Sequence, residues 1–218
     1  MSLLSRREAL ILAGSASLFA CAPNPPTATP DRRERVGKVQ VFAEGLSDLI
    51  DPEAQLEVLG EGYVWSEGPA WDAKRNCLYF SDVPTNTAYK WTEEGGVEIF
   101  RKPSGLPDGA DATGISSAGS NGLYLARDGR LLSPNHGGRS LDAIDLDRGE
   151  VSVLFARFEG KRLNSPNDVV EAADGTLYFT DPPYGLEGQD NSPVKEQPHN
   201  GVYKATPQGE LSLIETGL

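Results

Sequence analysis

Three polar residues occupy matching positions in a repeated strand–turn–strand pattern: Glu67, Asn121 and Asn167. Each stands where the first strand of its repeat begins, and we call them the start residues. One carboxylate and two carboxamides offer hard oxygen donors, which suit Ca²⁺ or a similar divalent cation if the side chains converge. The alternative is that the asparagines serve turns, where they tolerate left-handed backbone geometry.

The repeated pattern predicts the elements that would position the start residues. Each repeat contains a short apolar strand, a polar turn and a second apolar strand, over residues 67–82, 121–134 and 167–181. The start residues are 54 and then 46 residues apart. Four-stranded antiparallel units of about 40 to 50 residues are typical of β-propeller blades, whose inner strands begin at a central channel. Helical apolar spacing is missing after the N-terminal segment, so the sequence predicts an all-β fold.

The number of repeats predicts an incomplete propeller. Residues 55–218 hold about three blade-sized units, whereas propellers close with about 4 to 8 blades. An open half would expose a strand edge and one unfilled core face. We therefore expect either a truncated chain or a chain that associates with a partner, and we adopt truncation. In that interpretation residues 55–218 are the N-terminal half of the domain and the C-terminal half of the propeller is missing.

Residues 1–21 have the layout of an export signal. Arg6 and Arg7 resemble a twin-arginine pair and precede an apolar run that is shorter than the roughly 20 residues needed to cross a bilayer. The end of this run resembles a lipoprotein cleavage box, in which Cys21 would be acylated; a short amphipathic helix that stays attached is the alternative. We expect an exported, periplasmic or secreted protein, free or lipid-anchored through Cys21, with residues 22–54 as a Pro/Thr-rich tether and lead-in.

Charge and cysteine content exclude other classes. The chain has 32 acidic and 20 basic residues and a net charge of -12, which disfavours nucleic acid as a partner because phosphate binding needs positive charge. Cys77 is the one cysteine outside the N-terminal segment, so a disulfide framework is not expected. Its apolar strand context predicts a small buried hydrophobe rather than a nucleophile.

Four ordered motifs resemble the gluconolactonase family, which also contains senescence marker protein (regucalcin). They are WSEGPAW at 65–71, LYFSDVP at 78–84, LNSPNDVV at 163–170 and YFTDPPYG at 178–185. The resemblance covers the chain from about residue 60 onward. It implies a six-bladed β-propeller, an architecture shared with diisopropylfluorophosphatase, and metal-dependent hydrolysis of a small-molecule sugar lactone to the aldonic acid.

The same resemblance implies a divalent cation in the channel, most simply Ca²⁺, with Zn²⁺, Mg²⁺ or Mn²⁺ as alternatives. Glu67 matches the family's glutamate ligand. Asn167 matches a channel asparagine that is a metal ligand in some relatives and a substrate contact in others. The remaining ligands and the general base would follow Leu218. The chain would thus hold part of a metal site, since Ca²⁺ takes about 6 to 8 oxygens.

Several further residues are candidates for supporting roles. Asp168 could orient Asn167 from behind or simply face water. His136 lies in a segment that resembles the family's His-Gly segment, and it could donate to the substrate or be a hydrogen-bonded loop residue. Asn121 and Tyr184 are expected to line the channel and contact substrate. Two other functions stay open: a phosphotriesterase or general esterase on the same site, and a non-catalytic exported binding module.

Overall fold

The computed structural model describes residues 35–217. The predicted export signal, the acylation of Cys21 and the first part of the predicted tether, residues 22–34, lie outside the described residues. Within the described part of the chain, no helix has the length and apolar character needed to cross a membrane.

The described residues form three four-stranded antiparallel sheets and two short two-stranded ladders. In chain order the strands are β1 (Arg35–Val36), β2 (Leu56–Glu57), β3 (Ser66–Asp72), β4 (Cys77–Asp82), β5 (Thr87–Thr92), β6 (Gly96–Arg101), β7 (Tyr124–Leu125), β8 (Leu131–Asn135), β9 (Ser140–Ile144), β10 (Val151–Phe155), β11 (Arg157–Phe158), β12 (Lys161–Arg162), β13 (Val169–Glu171), β14 (Leu177–Asp181), β15 (Gly201–Ala205) and β16 (Leu211–Glu215). Short 3₁₀ helices span Glu44–Asp48 and Gln189–Asn191.

The three larger sheets have the topology of propeller blades. The first blade is β3–β6, the second is β7–β10 and the third is β13–β16, each with its strands side by side in chain order. Strands β1 and β2 pair with each other, as do β11 and β12. The predicted all-β propeller architecture with about three blades is confirmed. The total of six blades stays a prediction.

Asp-Gly pairs set the hairpin turns that open the second and third blades. Gly129 and Gly175 have φ of 87° and 83°, a left-handed conformation that glycine adopts without steric cost. The preceding carboxylates, Asp128 and Asp174, each accept the backbone N–H two residues further on, at 3.0 Å. Local chemistry alone therefore fixes where these hairpins reverse.

The hydrophobic core lies between neighbouring blades. The cluster between the first and second blades consists of Ala70, Cys77, Tyr79, Leu123, Leu131 and Ile144. The cluster between the second and third blades consists of Ala126, Leu132, Leu141, Ala143, Leu163, Val169, Phe179 and Tyr203. Cys77 is 1% exposed within the first cluster, which confirms that it is a small buried apolar side chain. Burial of these faces joins the blades into one packed body.

The inner strands are shorter than the sequence predicts. Strand β7 has two residues and β13 has three, so Asn121 and Asn167 precede their strands instead of beginning them. The backbone at this position bonds to the next blade, because the N–H of Gly122 donates to the carbonyl oxygen of Asn167 at 2.8 Å. The N–H groups of Asn121 and Asn167 still bond within their own blades, to the carbonyl oxygens of Pro134 at 2.9 Å and Thr180 at 2.8 Å. The contact between blades is therefore added to the bonds within each blade.

Part of the predicted tether and lead-in is structured. Arg35 pairs with Glu57 and Val36 pairs with Leu56, and the guanidinium of Arg35 donates to the side-chain oxygen of Gln55 at 3.0 Å. Two-residue strands carry no periodicity that a sequence pattern could reveal, so this ladder could be found only in the structure.

Truncating a core leucine tests the blade-to-blade packing. Leu141 is fully buried between the second and third blades, whereas Val153 of the same blade is 63% exposed. We expect Leu141→Ala to lower the free energy of unfolding by about 2 to 5 kcal/mol, because it leaves a cavity, and Val153→Ala to change it by less than about 0.5 kcal/mol. Urea denaturation of the two variants measures the difference. Equal losses in both would contradict this position of the core.

Candidate functional site

The three start residues are brought together by backbone contact between blades. A Cβ built on Gly68 would lie 2.5 Å from the carbonyl oxygen of Asn121, and one on Gly122 would lie 2.8 Å from that of Asn167. Both distances are shorter than real Cβ contacts allow, so the approach requires glycine at each point. Gly68 also has a φ of 56°. The residues Glu67, Asn121 and Asn167 therefore follow one another around one inner edge of the three blades.

Glu67 is half-buried and is held at both carboxylate oxygens. Its Oε1 accepts the indole N–H of Trp65 at 3.2 Å, and its Oε2 accepts the backbone N–H of Gly68 at 3.2 Å. The register of β3 against β4 shifts between Glu67 and Ala70. Such bulges re-aim a side chain relative to its strand, and here the bulge falls on the candidate ligand.

Asn121 and His136 form a buried pair. They are 6% and 2% exposed, and the Asn121 amide nitrogen lies 2.8 Å from His136 Nε2. Burial lowers the pKa of His136 to about 4, so the ring is neutral at pH 7 and its Nε2 accepts the amide N–H. The ring proton is then on Nδ1, which has no hydrogen-bond partner among the described residues. The arrangement commits the amide nitrogen of Asn121 to His136 and leaves its oxygen free for other partners.

The burial of His136 favours the role of a hydrogen-bonded loop residue over that of a donor to the substrate. A ring that is 2% exposed acts through Asn121 rather than on a ligand directly. Gly185 covers it, since a Cβ on this glycine would lie 2.7 Å from the His136 Cβ. Direct donation by His136 to a substrate stays a prediction.

Asn167 is half-buried beside β14. Its backbone N–H donates to the carbonyl oxygen of Thr180 at 2.8 Å, and the Thr180 hydroxyl lies 3.5 Å from its side-chain oxygen. Asp168 is exposed, and its Oδ1 accepts the backbone N–H of Val169 at 2.8 Å. The carboxylate of Asp168 therefore helps to start β13, and its predicted role in orienting Asn167 stays a prediction.

Tyr184 is placed beside the site by its neighbour. Its side chain is 56% exposed. The adjacent Gly185 packs on His136, and its N–H donates to the hydroxyl of Ser165 at 2.8 Å. Tyr184 is therefore exposed and next in the chain to the glycine that covers His136, and its contact with substrate stays a prediction.

Comparison with known proteins shows the family of the chain. Residues 65–218 match the model of the SMP-30/Gluconolactonase/LRE-like region, which is well over half of the chain. The chain belongs to this family. A curated gluconolactonase from Zymomonas mobilis is 38% identical over 222 residues, covering 99% of this chain and 62% of its own length.

Solved structures give the same assignment. A gluconolactonase from Xanthomonas campestris matches with a TM-score of 0.69 and 30% identity, covering 90% of this chain and 61% of the other. A chain of a nidogen/laminin complex matches with a TM-score of 0.51 and 16% identity over 74% of this chain and 52% of the other, which supports the fold alone. The chain therefore spans a little over three fifths of the length of these two gluconolactonases.

The family site is expected to hold a metal, and the start residues suit one in part. Between residues 35 and 217 there is no group of three or more His, Cys, Asp or Glu side chains that could hold an ion. The local donors are instead one carboxylate, from Glu67, and the carboxamide oxygens of Asn121 and Asn167. Oxygen donors of this kind fit Ca²⁺ or Mg²⁺ and do not fit a soft metal.

Two buried carboxylates position the start residues, although the sequence patterns assigned them no role. Asp82 accepts the backbone N–H of Trp65 at 2.9 Å, just before Glu67, and Asp181 accepts that of Asn164 at 2.7 Å, just before Asn167. Burial raises the pKa of Asp181 to about 7. Both end the second strand of a blade, in the recurring Ser-Asp or Thr-Asp step before a proline-containing turn. The recurrence of this step in two blades is the sequence signal from which the two carboxylates could have been identified.

The buried histidine makes stability depend on pH. The unfolded chain takes up this proton near pH 6.5 and the folded chain only near 4, so the folded state binds fewer protons in between and loses stability as the pH falls through that window. The loss is on the order of 3 kcal/mol. Asp181, whose pKa is raised to about 7, has the opposite effect over the same pH range. The contribution of His136 is therefore read as a difference: His136→Gln, which can still bond to Asn121, should lose less stability than the unmodified protein between pH 7 and pH 5.

Urea unfolding at pH 7 and pH 5 measures this effect. His199→Gln is the matched control, because His199 is the other histidine of the chain and is more exposed. An equal change in the free energy of unfolding between pH 7 and pH 5 in the unmodified protein and in His136→Gln would contradict the assignment.

Proposed function

We propose that the protein acts in the hydrolysis of a sugar lactone to the aldonic acid, with the start residues at the reaction site. The observation that carries this proposal is the backbone contact that aligns Glu67, Asn121 and Asn167 along one inner edge. Family membership and the two gluconolactonase relatives support the reaction class. In this reaction water adds to the lactone carbonyl carbon, the ring C–O bond breaks, and the ring oxygen leaves as a hydroxyl.

We further propose that the start residues help to hold a divalent cation, most simply Ca²⁺. The Glu67 carboxylate and the oxygens of Asn121 and Asn167 are the donors that this chain would supply. When bound, such a cation polarises the lactone carbonyl and stabilises the oxyanion that forms on it. Ca²⁺ takes about 6 to 8 oxygens, so water or further protein oxygens complete the shell.

The remaining residues of the site orient these donors and meet the substrate. Trp65 and Gly68 hold the carboxylate of Glu67 by hydrogen bonds. His136 holds the amide nitrogen of Asn121 and so leaves the amide oxygen available to a cation. The exposed Tyr184 offers a hydroxyl and an aromatic face, which suit the polar and apolar sides of a sugar ring. These positions are fixed before binding, which lowers the entropic cost of aligning the reactants.

Replacing the carboxylate tests the site. Glu67→Gln keeps the size of the side chain and removes its charge, and we expect kcat/KM for glucono-δ-lactone to fall by about 100-fold or more. The matched control is Glu94→Gln, on an exposed turn of the same blade, which should leave kcat/KM unchanged. A pH-stat assay measures the acid released.

Removing the metal is a second, independent test of the cation site. Dialysis against a chelator should abolish lactone hydrolysis by the unmodified protein, and added Ca²⁺ should restore it. Full turnover in Glu67→Gln, or in metal-free protein, would overturn the cation site. Turnover of an aryl phosphotriester in place of the lactone would favour the esterase alternative, and binding of lactone without turnover would favour a binding module.

A further inference from the structure

A buried arginine links the second blade to the loop that carries Asn167. Arg139 is 2% exposed and follows His136 at the end of the same turn. Its Nε donates to the carbonyl oxygens of Leu163 at 2.8 Å and Asn164 at 3.1 Å. Its Nη1 donates to the carbonyl oxygen of Val194 at 2.8 Å. All three acceptors lie outside the second blade, so one side chain ties two parts of the fold together.

The backbone of Arg139 is in a conformation that argues for a role of its side chain. Its φ is 55°, in the left-handed region where glycine is preferred and a long side chain is disfavoured. Two glycines precede it in the turn. Because glycine would remove the backbone cost, the contacts of the guanidinium must offset it for this residue to be tolerated.

The segment bound by Arg139 is fastened from its other side as well. The backbone N–H of Asn164 donates to Asp181 Oδ2 at 2.7 Å, and the Asn164 amide donates to the Asp181 carbonyl oxygen at 2.9 Å. The Ser165 hydroxyl donates to the carbonyl oxygen of Pro182 at 2.7 Å. Residues 163–165 are therefore hydrogen-bonded on both sides, and Asn167 follows two residues later.

The buried side chains of Arg139 and Asp181 interact electrostatically on the two sides of this segment. Arg139 Nη2 and Asp181 Oδ1 are both buried and without hydrogen-bond partners among residues 35–217, and each of the two side chains acts electrostatically on the other. Glu196 also attracts Arg139, whereas Arg157 and Arg162 repel it. Above the pKa of Asp181, which is about 7, removing the arginine alone would leave a buried carboxylate uncompensated, which is strongly destabilising.

We propose that Arg139 is a positioning residue, whose guanidinium fixes the 163–165 segment and thereby sets the place of Asn167 relative to Asn121 and His136. We call the hydrogen bonding of residues 163–165 by Arg139 the clamp. The role of Asn167 rests on the proposed function, whereas the clamp does not. A guanidinium suits this role because its rigid fork can hold several carbonyl oxygens at once. Glucono-δ-lactone turnover then depends on a residue that does not touch the substrate.

Variants can separate positioning from charge and from folding. Arg139→Met removes the donors and, at pH 8.5, leaves the ionised Asp181 alone, so a lower urea midpoint is expected at that pH. The double variant Arg139→Met/Asp181→Asn removes both charges and retains an acceptor for Asn164. It should recover most of the lost midpoint. Arg139→Lys keeps the charge and part of the donor set. Arg148→Met, with a side chain that is 69% exposed, is the matched control.

Two measurements decide the proposal. Amide hydrogen exchange by mass spectrometry should show at least tenfold faster exchange over residues 163–167 in the double variant. The kcat for glucono-δ-lactone should fall at least tenfold in that variant, although its midpoint is near the unmodified one, and Arg139→Lys should recover part of the loss. Arg148→Met should change neither quantity.

The outcomes distinguish the clamp from the reaction. Unmodified exchange over residues 163–167 in a folded double variant would overturn the clamp, whatever the activity. Faster exchange with undiminished kcat would overturn its role in placing Asn167. If the unmodified protein does not hydrolyse the lactone, the proposed function fails, and hydrogen exchange alone still tests the clamp.

Discussion

At the inner edge of the three blades, the backbone of one blade touches the backbone of the next. Gly68 lies against Asn121, and Gly122 lies against Asn167, at distances that a Cβ would not permit. Backbone carbonyls need partners when they are buried, and the N–H of Gly122 supplies one across the blade boundary. The alignment of the start residues depends on these contacts, because nothing in a single blade fixes where its neighbour begins.

Around this inner edge, buried polar groups hold the loops at which the start residues stand. Asp82 and Asp181 accept hydrogen bonds from backbone N–H groups just before Glu67 and Asn167. His136 is hydrogen-bonded to the amide nitrogen of Asn121. Each buried group is expensive to leave unpaired. The site is therefore held by a connected set of hydrogen bonds, and changes in one member are expected to move several donors at once.

Much of the fold could be predicted because local chemistry decides it. The Asp-Gly turns at Gly129 and Gly175 follow from the conformations open to glycine, and the alternating apolar strands around them follow from burial of one face. The burial of Cys77 follows from its place in such a strand. The order of Glu67, Asn121 and Asn167 around the inner edge followed from the repeat itself.

The rest of the site depends on contacts between distant segments. No local pattern shows that Gly185 covers His136, or that Arg139 binds the carbonyl oxygen of Leu163 in another part of the fold. The bond from the N–H of Gly122, just before β7, to the carbonyl oxygen of Asn167 in the third blade is a contact of the same kind. A sequence pattern reports periodicity along one strand and is silent about partners that only the assembled fold brings close.

The two-residue strand β7 has a consequence for how such a protein can be re-engineered. A blade cut out at its sequence boundaries would carry away its outer strands intact, but its inner strand would lose the neighbours that keep it in place. The transferable unit is therefore the junction between two blades, and a graft that aims to move the site to another scaffold has to carry both sides of that junction.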